Sequence, residues 1–390
     1  MGEPARMTLG PLAGFTVAVT ADRRAEEQTT LLTRLGATVL HAPVIRTRPL
    51  DGADGVRAAT EAVIARPPDV LVLITALGVR GWFNAADSLG LGDQLLTALS
   101  GPTSSGAPAP VVLARGPKAA GAALSHGLDV PWQAPDARSS DVLAKLRSRE
   151  LHPLTPGTRI AVQLDGAPTT ELADEVAGFA PDLDVVAVPV YRWELPEDPL
   201  PPHRLITAIA DGTVDAVTFT SSHAVANFVE LAEQIDALEA VRSAFESGST
   251  VPVAVGPVTA ERLESFGFAP PRRPRTFRLG AMVQALAQVL RDQAVDLCLT
   301  GTDVRVQGRL VMVAGEEPVQ LTDRERAVLT ALSRRPGAVV SKGELRKQVW
   351  ANGADDHAVE VTVGRLRRRL GPASDGIETV MRRGYRLAVS

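Results

Sequence analysis

Short apolar runs alternate with helical segments along roughly the first 300 residues of the chain. Residues 15–20 and 38–44 predict strands rich in β-branched residues, and residues 26–35 place leucines on one helical face. The same pattern predicts further strands near residues 70–75, 111–114, 159–164, 185–190, 215–220 and 252–255. Apolar strands separated by helices are typical of parallel sheets that are covered on both faces.

Four sequence fragments recur in the same order further along the chain, with a nearly constant offset. The pairs are residues 43–46 with 189–192, 69–75 with 215–220, 116–127 with 256–267, and 141–146 with 281–286. A repeated order at constant spacing indicates an internal duplication. We therefore predict an α/β fold with two similar parallel-sheet lobes.

Loops rich in Gly, Ser and Thr follow the predicted strands and precede helices. Ligands of open parallel sheets bind beyond the carboxyl ends of the strands, and helix N-termini favour anions. Taken singly, such residues are helix caps and turns; six such loops around one cleft predict a small anionic ligand. The ligand-binding candidates are Arg23, Arg115, Lys118, Ser221, Ser222, Gly256 and Thr259.

Several of these segments resemble uroporphyrinogen-III synthases, over about residues 12–290. The features are Pro-Val-Ile-Arg at 43–46, Pro-Val-Tyr-Arg at 189–192, Thr-Ser-Ser at 220–222 and Gly-Pro-Val-Thr-Ala at 256–260. The resemblance implies lobe one at about 1–46 plus 195–295 and lobe two at about 51–190, joined by two extended linkers. It also implies closure and inversion of the last ring of hydroxymethylbilane, a linear tetrapyrrole with eight carboxylates.

The resemblance assigns few catalytic side chains. Tyr191 matches a proton-donating group, Thr259 a threonine at the substrate cleft and Ser221 a serine in the facing loop, whereas Tyr191 also fits an aromatic side chain packed on a linker strand. The chain departs from the enzymes where Asp165 and Thr170 replace an Arg-Gly segment with further basic residues. An aspartate facing a polycarboxylate repels it, so an efficient enzyme is not expected.

The pattern changes after residue 303. Residues 304–313 and 319–321 predict a small antiparallel sheet with Gly308 at a turn, and we interpret residues 296–303 as a linker. Two capping boxes, Thr322-x-x-Glu325 and Ser341-x-x-Glu344, then open two helices.

A third helix, capped by Asp355 or Asp356, is predicted to end before Gly371-Pro372. Its apolar positions form one stripe, and arginines dominate the opposite face. The stripe is Val359, Val363, Leu366 and Leu370; the opposite face holds His357, Val361, Gly364, Arg365 and Arg368, flanked by Arg367 and Arg369. Residues 378–387 follow as a predicted hairpin with a basic tip.

This stretch resembles the winged-helix effector domain of OmpR/PhoB-type transcriptional regulators, over about residues 304–390. The matching segments are Leu-Thr at 321–322, Val-Trp at 349–350, the third helix at 359–370 and Arg-Gly-Tyr-Arg at 383–386. The resemblance implies that the third helix reads double-stranded DNA. It assigns DNA contacts to Arg365, Arg367, Arg368, Arg382 and Arg383.

The balance of basic and acidic residues also changes after residue 303. Residues 304–390 carry 16 basic and 10 acidic side chains, whereas residues 1–303 carry 25 and 35. Such asymmetry points to a nucleic-acid-binding tail domain, and it also fits an uneven solvated surface.

The remaining composition limits the chemistry. Cys298 is the one cysteine, which excludes an intrachain disulfide, and no Cys/His cluster has zinc spacing, so we expect no metal and no cofactor. The longest apolar run, residues 70–79, is about half a bilayer crossing. Residues 1–12 carry no secretory pattern. We therefore expect a cytoplasmic protein without a membrane partner.

Three functions fit the sequence. The first is a transcription regulator with a synthase-like sensor or dimerisation module, an architecture that resembles actinobacterial regulators of nitrate and nitrite assimilation. The second is a working uroporphyrinogen-III synthase that carries a DNA-binding domain. The third is a co-regulator whose module binds another protein. For the regulator we expect a homodimer on DNA, a small anionic or tetrapyrrole ligand, and RNA polymerase or another regulator as a partner.

Overall fold

The computed structural model describes residues 9–50, 55–101, 108–167, 169–350 and 353–388. The chain divides into two units, one formed by residues 1–44 with 197–390 and the other by residues 45–196. Within the described ranges, no helix has both the length and the apolar character needed to cross a membrane.

The chain begins with a strand–helix–strand segment. Its elements are β1 (Thr16–Val19), α1 (Ala25–Arg34), β2 (Thr38–His41) and β3 (Arg46–Pro49). All four residues of β1 are buried, as their apolar and β-branched side chains predict. Gly36 has a positive φ of 97° between α1 and β2, a conformation that glycine adopts without steric cost.

The second unit is a parallel sheet with helices on both faces. Its elements are α2 (Val56–Ala65), β4 (Val70–Leu73), α3 (Ala76–Ser88), α4 (Gly92–Ser100), β5 (Val111–Ala114), α5 (Pro117–Ser125), β6 (Trp132–Gln133), α6 (Ser139–Ser148), β7 (Arg159–Gln163), α7 (Glu171–Ala177), β8 (Asp184–Val188) and β9 (Tyr191–Glu194). The strand order is β6-β5-β4-β7-β8. Leu71 and Leu73 pack on one face and Val70 and Val72 on the other, so the central strand is apolar throughout. The two predicted linker strands, β3 and β9, pair antiparallel with each other.

The first unit continues with the second copy of the repeat. Its elements are α8 (Leu200–Ala210), β10 (Ala216–Phe219), α9 (Ser222–Glu233), α10 (Leu238–Glu246), β11 (Val251–Ala254), α11 (Pro257–Ser265) and α12 (Leu279–Asp292). Strands β10 and β11 join β1 and β2 in a parallel sheet of order β11-β10-β1-β2. We call this sheet with its helices lobe one.

The internal duplication is visible in backbone detail. Gly116 and Gly256 are both extended, with φ of 178° and −168°, and each is followed by a proline that opens a nine-residue helix. Each of these helices is followed by a glycine with positive φ, 81° at Gly127 and 78° at Gly267. The repeated Gly-Pro and Gly positions therefore specify the same strand–turn–helix unit twice.

The C-terminal domain has the winged-helix architecture that the sequence predicted. Its elements are β12 (Val295–Leu299), β13 (Thr302–Gln307), β14 (Leu310–Val313), β15 (Val319–Gln320), α13 (Asp323–Ser333), α14 (Lys342–Trp350), α15 (Asp356–Leu370), β16 (Ile377–Val380) and β17 (Gly384–Leu387). An antiparallel sheet of order β12-β13-β14-β15 precedes the three helices, and β16 pairs with β17 as the wing. Both predicted capping boxes are present.

The predicted linker at residues 296–303 is wrong. Residues 295–299 form β12, which pairs antiparallel with β13. Leu297 and Leu299 belong to the core of the winged-helix domain, and Gly376 packs so closely that an added Cβ would lie 2.6 Å from the Leu299 Cβ. Polar and apolar residues alternate along this strand, which is the pattern of a half-buried edge. The domain therefore begins near residue 295.

Candidate nucleic-acid interface and ligand loops

Helix α15 is anchored in the winged-helix core by its apolar stripe. Val359, Val363, Leu366 and Leu370 are each at most 1% exposed. Asp355 caps the helix, because its Oδ1 accepts a hydrogen bond of 2.9 Å from the backbone N–H of residue 358. The stripe and the cap confirm the predicted helix and fix which of its faces points to solvent.

The solvent face of α15 carries the predicted arginines. Arg365, Arg368 and Arg369 are exposed, and with Glu325 they line a shallow open depression. Among the described residues, no carboxylate forms an ion pair with Arg365 or Arg368. An added Cβ on Gly364 would meet nothing within 4 Å, so this position leaves the helix surface flat. The arrangement presents uncompensated guanidinium groups in a form that suits phosphates and guanine edges.

Arg367, on the same helix, is bonded to the wing. Its Nε donates a 3.0 Å hydrogen bond to the backbone oxygen of Ile377, and its Nη2 donates a 2.9 Å bond to Thr379 Oγ1. Its guanidinium also lies 5.9 Å from the centroid of the Tyr385 ring. Because its Nε and Nη2 donors are used inside the domain, we expect Arg367 to position the wing on α15, and its DNA contact stays a prediction.

We expect Arg367→Met to loosen the wing. The substitution keeps an apolar stem and removes donors whose loss costs about 1–2 kcal/mol for a partly exposed charged group. Backbone amides of residues 377–387 should exchange with deuterium faster than in the unmodified protein. Arg369→Met, in an exposed position on the same helix, is the matched control and should leave wing exchange unchanged. Equal exchange in both variants would contradict the positioning role.

The wing exposes the other predicted arginines. Arg382 and Arg383 lie in the turn between β16 and β17 and are exposed, as is Met381 at 81%. Arg382 has a positive φ of 57°. Behind the turn, Gly384 approaches the chain so closely that an added Cβ would lie 2.1 Å from the Val340 backbone oxygen. The tip is therefore held by its base while its basic side chains remain free to meet a polyanion.

The ligand candidates in lobe one lie where its parallel strands end. Ser221 caps α9, accepting a 3.1 Å hydrogen bond from the Ala224 N–H, and Ser222 is the first helical residue. Thr259 is buried in the first turn of α11, and Arg23 is exposed. The cap confirms the structural role that the sequence allowed for Ser221, and it uses one lone pair of the hydroxyl oxygen.

A buried polar network beneath these loops was missed by the sequence. Gln28 Nε2 donates a 2.6 Å hydrogen bond to Thr218 Oγ1, and Thr20 Oγ1 donates a 2.7 Å bond to the Thr218 backbone oxygen. All three side chains are fully buried. A glutamine on the predicted apolar face of α1 was the available signal. The network joins α1 to β10 below the carboxyl ends of the strands.

The candidates in the second unit have compensated charge. Arg115 Nη1 lies 3.8 Å from Asp165 Oδ2, and Lys118 is exposed on the first turn of α5. Burial lowers the pKa of Arg115, while the nearby Asp165 carboxylate opposes that shift. Asp165 therefore forms an ion pair with Arg115. The positive charge that Arg115 offers to an anion is reduced.

Tyr191 is buried in the second unit. Its hydroxyl lies 3.0 Å from Thr75 Oγ1, and its ring stacks on Trp193 with a centroid distance of 6.1 Å. An added Cβ on Gly166 would lie 2.2 Å from the Tyr191 ring, so the residue 165–167 turn packs directly on it. Both interpretations of Tyr191 are retained, because it packs on a linker strand and also presents a hydroxyl beside the Thr75 loop.

Two family models match the chain. The model described as "Uroporphyrinogen-III synthase HemD" matches residues 26–293. The model described as "Transcriptional regulatory protein, C terminal" matches residues 315–387. The first match spans most of both lobes, and the second spans the three helices and the wing of the C-terminal domain.

Three similar proteins add detail. YjjA of Bacillus subtilis (strain 168) is 27% identical over 290 residues, covering 72% of this chain and 98% of its own length. A mutant uroporphyrinogen III synthase from the extreme thermophile Thermus thermophilus is similar in crystal structure, with 31% identity and a TM-score of 0.56, covering 72% of this chain and 100% of that one. The transcriptional regulatory protein CseB of Streptomyces coelicolor is 31% identical over 238 residues, 59% of this chain and 91% of its own.

Proposed function

Because the chain belongs to the uroporphyrinogen-III synthase HemD family and ends in a winged-helix DNA-binding domain of transcriptional regulators, we propose that it is a one-component transcription regulator. The HemD-like module serves as sensor or dimerisation body, and the winged helix binds double-stranded DNA. The observation that carries this proposal is the solvent face of α15, where arginines without carboxylate partners stand opposite a fully buried stripe.

The chemistry of that face supports DNA as the partner. A guanidinium can donate two hydrogen bonds to the O6 and N7 atoms of guanine, and it can also pair with a phosphate. Arg365 projects from the middle of the helix, and Arg382 and Arg383 extend the basic surface at the wing tip. We assign base contact to Arg365, and phosphate contact to Arg368 and the wing arginines.

A single winged helix covers little DNA, so we propose that two copies bind repeated half-sites. The recognition helix, α15, must face the DNA groove and is not free for dimer contacts. We therefore assign the dimer surface to the HemD-like module. RNA polymerase or another regulator is the proposed protein partner on the promoter.

The ligand of the module is the next part of the proposal. Loops at helix N-termini in both units carry Arg23, Ser221, Ser222 and Thr259 in one, and Arg115 with Lys118 in the other. Such loops suit a small anion or a carboxylated tetrapyrrole. A ligand regulates only if it binds two conformations with different affinity.

We expect inorganic phosphate or an acidic tetrapyrrole to change the affinity of the chain for DNA. Arg115→Ala combined with Thr259→Ala should remove this response and leave basal DNA binding intact, because neither residue lies in the winged-helix domain. The two single variants show which unit carries the response. Titration of each compound while DNA affinity is measured tests this, and an unchanged response in the double variant would assign the module a scaffolding role.

The regulated genes are proposed to include those for nitrate and nitrite assimilation. The support is the fused architecture, which resembles actinobacterial regulators of those genes, and this is an argument by analogy. Footprinting of the purified chain on the DNA around its own gene tests whether it is a regulator. Footprinting on nitrate and nitrite assimilation promoters tests which genes it controls. A protected repeat in the first but not the second would retain the regulator and reject the nitrogen role.

A second function is supported by a specific observation. The family match spans residues 26–293, and for this alternative we propose Tyr191 as the proton donor and Thr259 as a cleft residue. The alternative is therefore a uroporphyrinogen-III synthase that also binds DNA.

A further inference from the structure

The winged-helix domain packs directly on lobe one. Helix α12 of lobe one ends at Asp292 and β12 of the winged helix begins at Val295, so two residues separate them. Gln307 Nε2 donates a 2.9 Å hydrogen bond to the Ala13 backbone oxygen, and the Arg309 N–H donates a 2.7 Å bond to the Gly14 oxygen. The connection is therefore a packed interface with a short crossing and not a flexible tether.

Two glycines allow this close approach. An added Cβ on Gly308 would lie 2.3 Å from the Gly14 backbone oxygen, and one on Gly14 would lie 2.4 Å from the Gln307 oxygen. Both glycines have positive φ, 57° and 83°. Real Cβ atoms cannot approach backbone this closely, so the two backbones are in contact because both positions lack a side chain.

A buried carboxylate lies at the centre of the interface. Asp215, immediately before β10, is 1% exposed, and its Oδ1 is paired with Arg326 of α13. Its Oδ2 accepts a 2.7 Å hydrogen bond from the Thr16 N–H. Arg309 lies alongside, donating from Nη2 to the Thr213 backbone oxygen at 3.0 Å and pairing with Asp323.

The equivalent position in the other copy of the repeat shows which contacts of Asp215 depend on the winged-helix domain. Asp69 stands immediately before β4 in the second unit, and its Oδ2 accepts a 2.8 Å hydrogen bond from the Arg159 N–H, as Asp215 does from Thr16. Asp69 is exposed, whereas Asp215 is covered by α13. The backbone bond therefore belongs to the repeat, and the buried ion pair belongs to the docking of the winged helix.

We propose that Asp215 and Arg326 form an interdomain latch: the winged-helix domain docks on lobe one in one orientation through the backbone contact between Gly14 and Gly308, and this docking requires that Arg326 neutralise the buried Asp215 carboxylate. Lobe one then dictates where α15, the helix assigned to DNA recognition, points. The consequence for regulation rests on the proposed function. With the latch closed, the recognition helix moves with lobe one, and a change in lobe one changes the spacing of two DNA half-sites that a dimer can bridge.

The two partners of the latch should differ in their response to substitution. Burial raises the pKa of Asp215 despite the neighbouring Arg326 and Arg309, so desolvation of the carboxylate outweighs their attraction. Removing Arg326 leaves a buried carboxylate with a weaker cationic environment, which is strongly unfavourable until water reaches it. An asparagine at 215 still accepts from Thr16 and needs no cation. Docking should therefore fail in Arg326→Ala and survive in Asp215→Asn and in the double variant.

The test is a distance measurement on the full chain without DNA. Spin labels at Thr33→Cys in lobe one and Asp375→Cys in the winged helix, both exposed positions, are introduced on a Cys298→Ser background. We expect one narrow distance distribution for the unmodified latch, for Asp215→Asn and for Asp215→Asn with Arg326→Ala. Arg326→Ala alone should give a broad distribution with longer distances. A narrow distribution in Arg326→Ala, or no restoration in the double variant, overturns the latch.

Control variants separate docking from folding. Asp69→Asn, the duplicate position without a packed domain, should leave the distribution unchanged. Gly308→Ala should broaden the distribution, whereas Gly315→Ala, also at a positive φ (85°) but with nothing within 4 Å of an added Cβ, should not. Broadening in Gly315→Ala or Asp69→Asn would mean that domain unfolding, and not undocking, is measured, and would overturn the assignment.

A second measurement tests the consequence for DNA. Two half-sites are placed at the preferred spacing and at a spacing about half a helical turn longer, which turns the second site to the opposite side of the duplex. The unmodified chain should lose at least tenfold in affinity on the longer spacing, and Arg326→Ala should lose less than threefold. Equal selectivity overturns the coupling. If no variant binds DNA, the proposed function fails, while the distance measurement still decides the latch.

Discussion

Replacing Arg365 with alanine is expected to weaken binding at the specific DNA site by about 1–3 kcal/mol, which is roughly a 5- to 150-fold loss of affinity. Arg365 is exposed at the centre of the solvent face of α15 and lies outside the apolar core. The substitution therefore leaves the fold intact and removes one bidentate donor. Preference for the base that it reads should relax as well, which a randomised-site selection measures.

Two further variants separate base contact from phosphate contact. Arg383→Ala, at the exposed wing tip, should weaken binding to all sequences alike and reduce the slope of log affinity against log salt by about 1. Arg34→Ala, exposed in α1 of lobe one, should change neither. If Arg365→Ala and the unmodified chain bind the specific site equally in gel shifts, α15 is not the helix that recognises the DNA bases.

The full chain is expected to convert hydroxymethylbilane to uroporphyrinogen III far more slowly than about 1 per second, a rate ordinary for enzymes. Asp165 lies against Arg115 and reduces the positive charge that a substrate with eight carboxylates would meet. The Tyr191 hydroxyl is already within hydrogen-bond distance of Thr75. The first observation lowers the attraction of the second unit for the substrate, and the second gives the Tyr191 hydroxyl a partner inside the protein.

The assay compares the chain with the Thermus thermophilus synthase under identical conditions. Asp165→Ala frees Arg115 and should increase binding of the polycarboxylate, whereas Asp136→Ala, an exposed acidic side chain on the same unit, should not. Turnover of the unmodified chain at or above about 1 per second, together with its loss in Tyr191→Phe, would establish the synthase alternative.

Two features depend on contacts that lie outside any short stretch of the sequence. The sequence predicts a linker at residues 296–303, yet β12 is completed by pairing with β13 and by Gly376, which is distant in sequence. The resemblance assigns a DNA contact to Arg367, yet its Nε and Nη2 atoms donate to the wing strand ten and twelve residues later. In both cases the deciding partner belongs to another element.

The sequence by itself determined most of the elements and the faces they bury. Apolar periodicity, the capping boxes, the repeated Gly-Pro turns and the stripe on α15 act within a few residues, so each is visible in a short window. Tertiary structure alone decided which charges meet. Arg115 with Asp165 and Asp215 with Arg326 join residues 50 and 111 positions apart, and no local pattern encodes the desolvation and pairing that set their roles.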